Sequence, residues 1–491
     1  MNLSQEAFEE FAKPGVRVPL MKNFSIPNLS PVGIVEALGI QNQQFALLES
    51  RKGGEKRGNH TFICMSPQLV YRTKGREVFV NNELVEGVDP FYQLEAILGK
   101  HPVAKIPGLP KFYGGAVGFV SYDMARFFEE LPTESRDDLN IPDMFFLVCD
   151  KLIVIDNLTQ AVQGINNVFI GDDADPATLY REGKQELDEL ESMLQQVPAE
   201  ADPDLPQLEL ENLFTPECNM TKAEFEAMVV RAKEYIKAGD VFQVNLSIRL
   251  GKELKTEPWQ VYKVLRQLNP SPYGAYLNFG DLQLVGSSPE LLVRIKDGVA
   301  ETRPIAGTRR RGADREEDLA LAEELISNEK ERAEHIMLVD LERNDLGRVC
   351  QYGSVHVNEL MVIEEYSHVM HIVSNVQGKL FAGKGNFDLL RACFPGGTIT
   401  GAPKVRCMES IEELEPTRRG VYTGSVGFFG YGGEMEMNIS IRTLVVTGGK
   451  AFVQAGAGIV ADSVPEREYY ESLKKAEALL RALELAEREL R

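Results

Sequence analysis

Between residues 30 and 170 the chain is written as short apolar runs, among them 44–48, 77–80, 145–148 and 152–155, set off by Gly, Asn or Pro. Runs of this length bounded by turn formers read as strands, so the first third of the chain predicts a sheet. At 177–194 the period changes. Leu179, Leu187, Leu190, Met193 and Leu194 recur at helical spacing among Asp and Glu, which predicts an amphipathic helix. The periodicity stops at VPAEADPDLPQL, residues 197–208, which hold three prolines and three acids. An exposed linker is expected there. It divides the sequence into an N-terminal region, 1–196, a linker, 197–214, and a C-terminal region, 215–491.

The C-terminal region opens on Thr221-x-x-Glu224, a capping box ahead of a helix that ends at Gly239. Strands are expected around 241–250, 282–295, 354–360, 370–377, 424–430, 436–446 and 450–456. Helices are expected around 316–349, around 386–393 and from about 464 onward. Short turns such as Thr447-Gly448-Gly449 join neighbouring strands, so a largely antiparallel sheet is expected in an α/β chain of the α+β type.

The 491 residues carry 53 Lys+Arg against 74 Asp+Glu, a formal net charge of −21. Nucleic-acid binding needs clustered cations that displace phosphate counterions, and Arg309-Arg310-Arg311 is the only tight basic run. No nucleic-acid partner is expected. Thirteen acids against Arg181 and Lys184 lie between Asp172 and Glu211, a local net of −11, so more than half of the excess sits on one helix and its linker. No apolar run approaches the roughly 20 residues that span a bilayer, and no secretory signal is visible. The six cysteines form no CxxC pair, which argues against a disulfide framework or a zinc site. A cytoplasmic setting is expected.

Several groupings bear on chemistry. Glu334 shares a helical stripe with Met337, Leu338 and Leu341. A carboxylate on an apolar stripe requires a cation or several donors opposite it, so Glu334 is a candidate metal ligand or acid–base group. Glu331 reads more simply as the capping partner of Asn328. Glu468, Glu471 and Lys475 share a face of the terminal helix; by spacing alone this is an ordinary solvated face, where a Glu–Lys pair adds about 0.2–0.5 kcal/mol. Gly456-Ala457-Gly458 predicts a glycine-rich turn whose N–H groups suit an anion. PGGTITGAPK at 395–404 is not a Walker motif, because Ala402 stands where lysine is required; it reads as an anion cradle or a tight turn. His368 and His371 fall on opposite faces of an expected strand.

Taken in order, these strings resemble the chorismate-utilising enzyme family, and within it the large subunits (component I) of anthranilate synthases. The resemblance is carried by LLES at 47–50, FYGGAVGFVSYD at 112–123, DVFQVNLS at 240–247, NPSPY at 269–273, SSPELLVR at 287–294 and RPIAGTRRRG at 303–312. It continues through AEHIMLVDLERNDLGRV at 333–349, GTITGAPKVR at 397–406 and QAGAGIVADSVPEREYYES at 454–472. It implies an intertwined two-sheet sandwich flanked by helices, and a Mg²⁺-dependent reaction in the cleft between the sheets.

In the implied reaction, ammonia adds at C2 of chorismate as the C4 hydroxyl leaves, and aminodeoxyisochorismate then loses pyruvate to give anthranilate. Hydroxide leaves poorly, so an acid near C4 and a cation on the ring carboxylate are needed. The resemblance implies Glu334 and Glu471 as Mg²⁺ ligands and Glu290 as the acid at C4. It makes Glu331 and Glu468 supporting or proton-handling carboxylates, and places His371 in pyruvate elimination. It sets Tyr422, Arg442, Gly456, Ala457 and Gly458 at the enolpyruvyl carboxylate, Lys475 at the ring carboxylate, and Gln243, Thr308 and Thr398 as further polar contacts.

Two positions bear on the product. Relatives that add water tend to carry lysine where Gln243 stands, and aminodeoxychorismate synthases tend to read PIKGT, with a nucleophilic lysine where this chain has Ala306. Both imply anthranilate over isochorismate or aminodeoxychorismate, with an aminodeoxychorismate or aminodeoxyisochorismate synthase of the same family as the alternative. A non-catalytic regulator on the same fold would be expected to lack one of Glu290, Glu334 or Glu471, and all are present. The resemblance occupies the whole chain, so a separate glutamine amidotransferase subunit, component II, is expected to supply ammonia within a heterotetramer. The family's tryptophan-feedback site corresponds to Glu49, Ser50, Pro270, Ser271, Pro272 and Tyr273. This sequence departs from the pattern at Gly274, where methionine is common, and at His60-Thr61-Phe62-Ile63.

Overall fold

The structure, a computed structural model, describes residues 1–26, 29–51, 60–195, 216–366 and 369–488. The expected linker and His368 lie outside the described residues.

Local rules account for the helix ends. The Thr221 hydroxyl accepts the Glu224 amide, and the Glu224 carboxylate accepts the Thr221 amide at 2.7 Å. Helix Lys222–Ala238 then stops at Gly239, whose φ of 84° is left-handed. The helices expected around 316–349 are Arg315–Ser327 and Glu329–Gly347, divided at Asn328, whose side chain accepts the Glu331 amide at 3.1 Å. Helix Pro258–Leu268 and strand Tyr273–Asn278 have no counterpart among the expected elements. The helix buries Trp259, Val261, Tyr262, Val264 and Leu265 at helical spacing, a period passed over in the expected elements; the strand is short and glycine-interrupted, so it shows no clean period.

Two large sheets carry the fold. In spatial order the first runs Arg17–Phe24, Val162–Phe169, Lys151–Asp156, His60–Met65, Phe45–Glu49, Tyr273–Asn278, Leu282–Ser288, Thr443–Thr447, Lys450–Ile459, Gln243–Glu253 and Glu217–Cys218. The second runs Ile305–Arg310, Val369–Lys379, Val299–Thr302, Leu291–Lys296, Met435–Ile439, Ser425–Gly430, Gly115–Val120, Met144–Cys149, Leu69–Lys74, Glu77–Val80 and Glu83–Val85. Neighbours along both are antiparallel, as expected. Each sheet takes strands from both sides of 197–214: 45–49 pairs with 274–278, and 115–120 pairs with 425–430. The two halves are interleaved.

The sheets meet face to face. Phe62, Leu152, Leu277 and Leu284 of the first share one apolar core with Phe119, Phe145, Leu147 and Phe428 of the second, each burial contributing about 1.5–3 kcal/mol. Helices Lys222–Ala238, Pro258–Leu268 and Pro465–Arg488 pack on the first sheet, and helices Glu329–Gly347 and Asn386–Cys393 on the second.

Two stretches that read as single strands are changes of sheet. Residues 282–295 form Leu282–Ser288 in the first sheet and Leu291–Lys296 in the second, and 436–446 form Met435–Ile439 in the second and Thr443–Thr447 in the first. The links, Pro289-Glu290 and Ser440-Ile441-Arg442, are laced together. The Ile439 amide donates to the Glu290 carbonyl at 3.0 Å, the Ser288 hydroxyl to the Ile439 carbonyl at 2.6 Å, and the Ser287 amide to the Arg442 carbonyl at 3.0 Å. Arg442 takes φ +52°, which for a non-glycine costs roughly 1–3 kcal/mol and persists because the lacing over-determines it.

Candidate active site

The laced links bring Glu290 and Arg442 together. Glu290 is 5% exposed, and burial pushes its carboxyl up to about 7, with the nearby Thr398 hydroxyl, Ile305 amide and Arg442 charge offsetting part of that rise. Its Oε1 and the Thr398 Oγ1 are buried without a hydrogen-bond partner among the described residues. The Arg442 side chain faces Glu290, Tyr422 and Glu471 and makes no hydrogen bond or ion pair with a described residue. A half-buried guanidinium without a partner is costly, so this spot suits an anion, which the Arg fork grips bidentately. Burial pushes the Tyr422 phenol up to about 12, so it stays a neutral donor.

Gln243 heads the strand beside this pair. Its Nε2 donates to Glu334 Oε1 at 2.9 Å, while its Oε1 is buried without a partner among the described residues. A Cβ on Gly458 would meet the same Nε2 at 2.3 Å, so glycine clears the path by which Gln243 reaches across to helix Glu329–Gly347. This corrects the expected turn. Gly456, Ala457 and Gly458 lie within strand Lys450–Ile459, opposite Ser247, Leu246 and Asn245, and the helix begins only at Pro465. Pairing with Thr443–Thr447 stops at Val453, and beyond it Lys475 donates to the Gly456 carbonyl at 3.0 Å.

Lys475 also pairs with Glu471 at 2.7 Å, whose side chain is 53% exposed. Burial, with the charge of Glu471, pushes half-buried Glu468 up. These three residues, which spacing alone made a solvated face, therefore form one connected set at the site.

A third group lies on the second sheet. His371 Nδ1 is 3.1 Å from the Gly307 carbonyl and 3.0 Å from the Thr308 hydroxyl. A carbonyl only accepts, so Nδ1 carries a proton, and in the neutral ring the lone pair is then on Nε2. Gly307 takes φ +70° at a bulge between Ala306 and Thr308. Arg309 donates to Glu331 Oε1 at 3.1 Å. Arg309 belongs to the site through its strand, Ile305–Arg310, which packs against helix Glu329–Gly347; in the sequence it is only part of a basic run.

Residues 43–481 match the chorismate binding enzymes. The chain belongs to that family. It is 48% identical to aminodeoxychorismate synthase component 1 of Bacillus subtilis (strain 168), over 97% of this chain and 98% of that one. It is 44% identical to anthranilate synthase component 1 of Aquifex aeolicus (strain VF5), over 99% of each. The solved structure of anthranilate synthase component I from Streptococcus pneumoniae TIGR4 superposes with a TM-score of 0.76 at 36% identity, covering 88% of this chain and 95% of that chain. The menaquinone-specific isochorismate synthase of Escherichia coli shares the fold, with a TM-score of 0.69 at 19% identity over 98% of each.

The residues matched to the chorismate-utilising family's tryptophan site sit apart from this cluster, between the two sheets. Glu49, Ser50, Pro272, Tyr273 and Gly274 line a cavity of about 30 Å³ with His60, Phe62, Lys111, Phe428 and Glu436, room for about one water. Pro270 and Ser271 do not line it. The Glu49 carboxylate accepts from Arg266 at 2.6 and 2.9 Å and from the Tyr262 hydroxyl at 2.7 Å, so its charge is already met. A Cβ on Gly274 would lie 3.0 Å from the Glu49 carbonyl. No helix among the described residues is long and apolar enough to cross a membrane.

Proposed function

We propose that this chain is the synthase component of an anthranilate synthase, turning chorismate and ammonia into anthranilate and pyruvate through aminodeoxyisochorismate. The observation that carries the reading is the placing of Arg442, a half-buried cation whose side chain has no hydrogen-bond partner among the described residues, beside Glu290, a buried acid whose proton is held up to about pH 7. Arg442 and the Tyr422 phenol hold the enolpyruvyl carboxylate, and Lys475 meets the ring carboxylate. Glu290 gives its proton to the C4 oxygen as the C4–O bond breaks. The Gln243 Oε1, which lacks a partner, accepts an N–H of the incoming ammonia at C2. His371 Nε2 takes a proton in the elimination of pyruvate.

Among the described residues no three metal-ligating side chains cluster. Two carboxylates with open positions are what Mg²⁺ takes when substrate and water complete its shell, so Glu334 and Glu471 fit it. When bound, the ion neutralises the ring carboxylate. Glu334→Gln is expected to remove turnover at every Mg²⁺ concentration; ordinary activity in that variant would refute the ligand assignment.

A second reading is favoured by the 48% identical relative from Bacillus subtilis: an aminodeoxychorismate synthase. Ala306, buried on strand Ile305–Arg310, stands against its lysine-nucleophile form. Incubating the chain with chorismate, Mg²⁺ and ammonium decides between them. Anthranilate fluorescence supports the first reading, and aminodeoxychorismate without anthranilate supports the second. We further propose a separate glutamine amidotransferase partner; glutamine hydrolysis by the purified chain alone would contradict that.

Tryptophan is the proposed feedback ligand of the inter-sheet cavity. Because an indole is far larger than the cavity of about 30 Å³, binding requires the cavity to widen, and weak inhibition is expected. Tryptophan titrated against ammonia-dependent turnover should act only at high concentration, and no effect at millimolar tryptophan would end the assignment.

A further inference from the structure

Helix Glu329–Gly347 buries one more acid beside the site. Its inward face carries His335, Leu338, Val339, Glu342, Asp345 and Leu346, and Glu342 is 7% exposed. The preceding residue, Leu341, presses on the turn that holds Thr398: a Cβ on Gly397 would meet Leu341 Cδ2 at 2.1 Å. Thr398 in turn stands at Glu290. Glu290 Oε1, Glu342 Oε2 and the hydroxyl oxygens of Thr302 and Thr398 are buried atoms that all lack hydrogen-bond partners among the described residues.

The groups facing Glu342 are Glu290 from the link between the sheets, Asp345 on its own helix, Lys404 from helix Lys404–Leu414, the Thr302 hydroxyl and the Cys393 thiol. Lys404 is already committed to Asp345 at 2.6 Å and to the Cys393 carbonyl at 3.0 Å. Glu342 therefore has no counter-charge of its own. Burial, with the charge of Glu290, pushes it well above the carboxylate range, which leaves a neutral acid with one O–H to donate.

We propose that Glu342 is a positioning residue that donates this O–H, directly or through one water, to Glu290 as Glu290 gives its own proton to the C4 oxygen of the substrate. The proposal rests on the reading of Glu290 as the acid. The Glu290 O–H bond breaks, a new O–H bond forms on the leaving oxygen, and the C4–O pair departs with that oxygen as water. Glu342 keeps its proton throughout. A carboxylate formed out of reach of solvent needs such a donor, because an unmet buried charge would raise the barrier.

The test is ammonia-dependent turnover of the full chain from about pH 6 to 9, with kcat, KM for chorismate and the melting temperature measured for the parent, E342Q, E342L and E290Q. E342Q keeps an N–H donor and is expected within about threefold of the parent. E342L loses the donor, so its kcat is expected to fall about tenfold at unchanged KM, with the basic limb about one pH unit higher and no loss of melting temperature. The limb rises because the charged form of Glu290 has lost a stabilising partner. E342L with parental kcat and an unmoved limb would overturn the proposal, as would E342Q and E342L equally slow and equally less stable. If E290Q is inactive while E342L is unchanged, only this proposal falls; if E290Q stays active, the acid reading fails and takes the proposal with it.

Discussion

Glu290→Gln is expected to lower kcat with ammonia by about 10²–10⁴-fold while chorismate still binds. The amide has the shape of the acid and can keep its neighbours, the Thr398 hydroxyl and the Ile305 amide, but it has no proton to lose to the C4 oxygen. Equilibrium binding measured beside turnover separates the two effects, and a variant within tenfold of the parent would remove Glu290 from the chemistry. The pH profile follows from the same burial. The acid form of Glu290 persists up to about pH 7, so parental kcat/KM should decline above that range. Stability moves in the same window: a carboxyl raised from 4.5 to about 7 weakens folding progressively as pH climbs through that interval, and fully above it. The glutamine variant should therefore be at least as stable as the parent at alkaline pH.

Arg419→Leu is expected to cost roughly 3–5 kcal/mol of folding free energy. Arg419 and Glu415 are both almost fully buried and pair at 2.7 and 3.0 Å. Arg419 also donates to the Ile399 and Asn245 carbonyls at 3.1 and 2.7 Å, while Glu415 accepts the Ser247 amide and hydroxyl at 2.9 and 2.8 Å. The pair braces the Thr398 turn against strand Gln243–Glu253, so the variant should also lose turnover. Removing only the arginine leaves a buried carboxylate with no counter-charge. Arg419→Leu combined with Glu415→Leu should recover part of the loss in a urea titration, and a single-variant cost below about 1 kcal/mol would show that the charge is met by other means.

Where one rule governs one element, the sequence was a sufficient guide. The helix ends at Thr221 and Gly239 followed from capping alone, and the antiparallel order from short turns. The active-site crossovers were hidden for a physical reason. The links at Pro289-Glu290 and Ser440-Ile441-Arg442 are only two or three residues long, so each pair of flanking strands reads as one run and spacing alone does not mark Glu290 or Arg442. Family motifs, not spacing, pointed to both. Spacing undervalued Glu471 and Lys475, because a solvated Glu–Lys pair and one that also meets the Gly456 carbonyl look alike along a helix. It also misplaced Gly456–Gly458, where glycine serves the crossing of Gln243 rather than a turn. Glu342 passed unnoticed because a helical acid signals burial only once its neighbours are known.

The interleaving of the two halves reaches beyond the finished fold to how it is made. Strand Gly115–Val120 is buried along its whole length and pairs on one side with Ser425–Gly430, so roughly three hundred residues must be synthesised before that partner exists. At about 5–20 residues per second, an apolar strand edge waits roughly 15–60 s for its mate. Such late, long-range pairing is slow to nucleate and open to association in the meantime. Emerging chains of this protein are therefore expected to depend on chaperones at a stage when the N-terminal strands are complete and the candidate-site carboxylates of the C-terminal region have not yet been made.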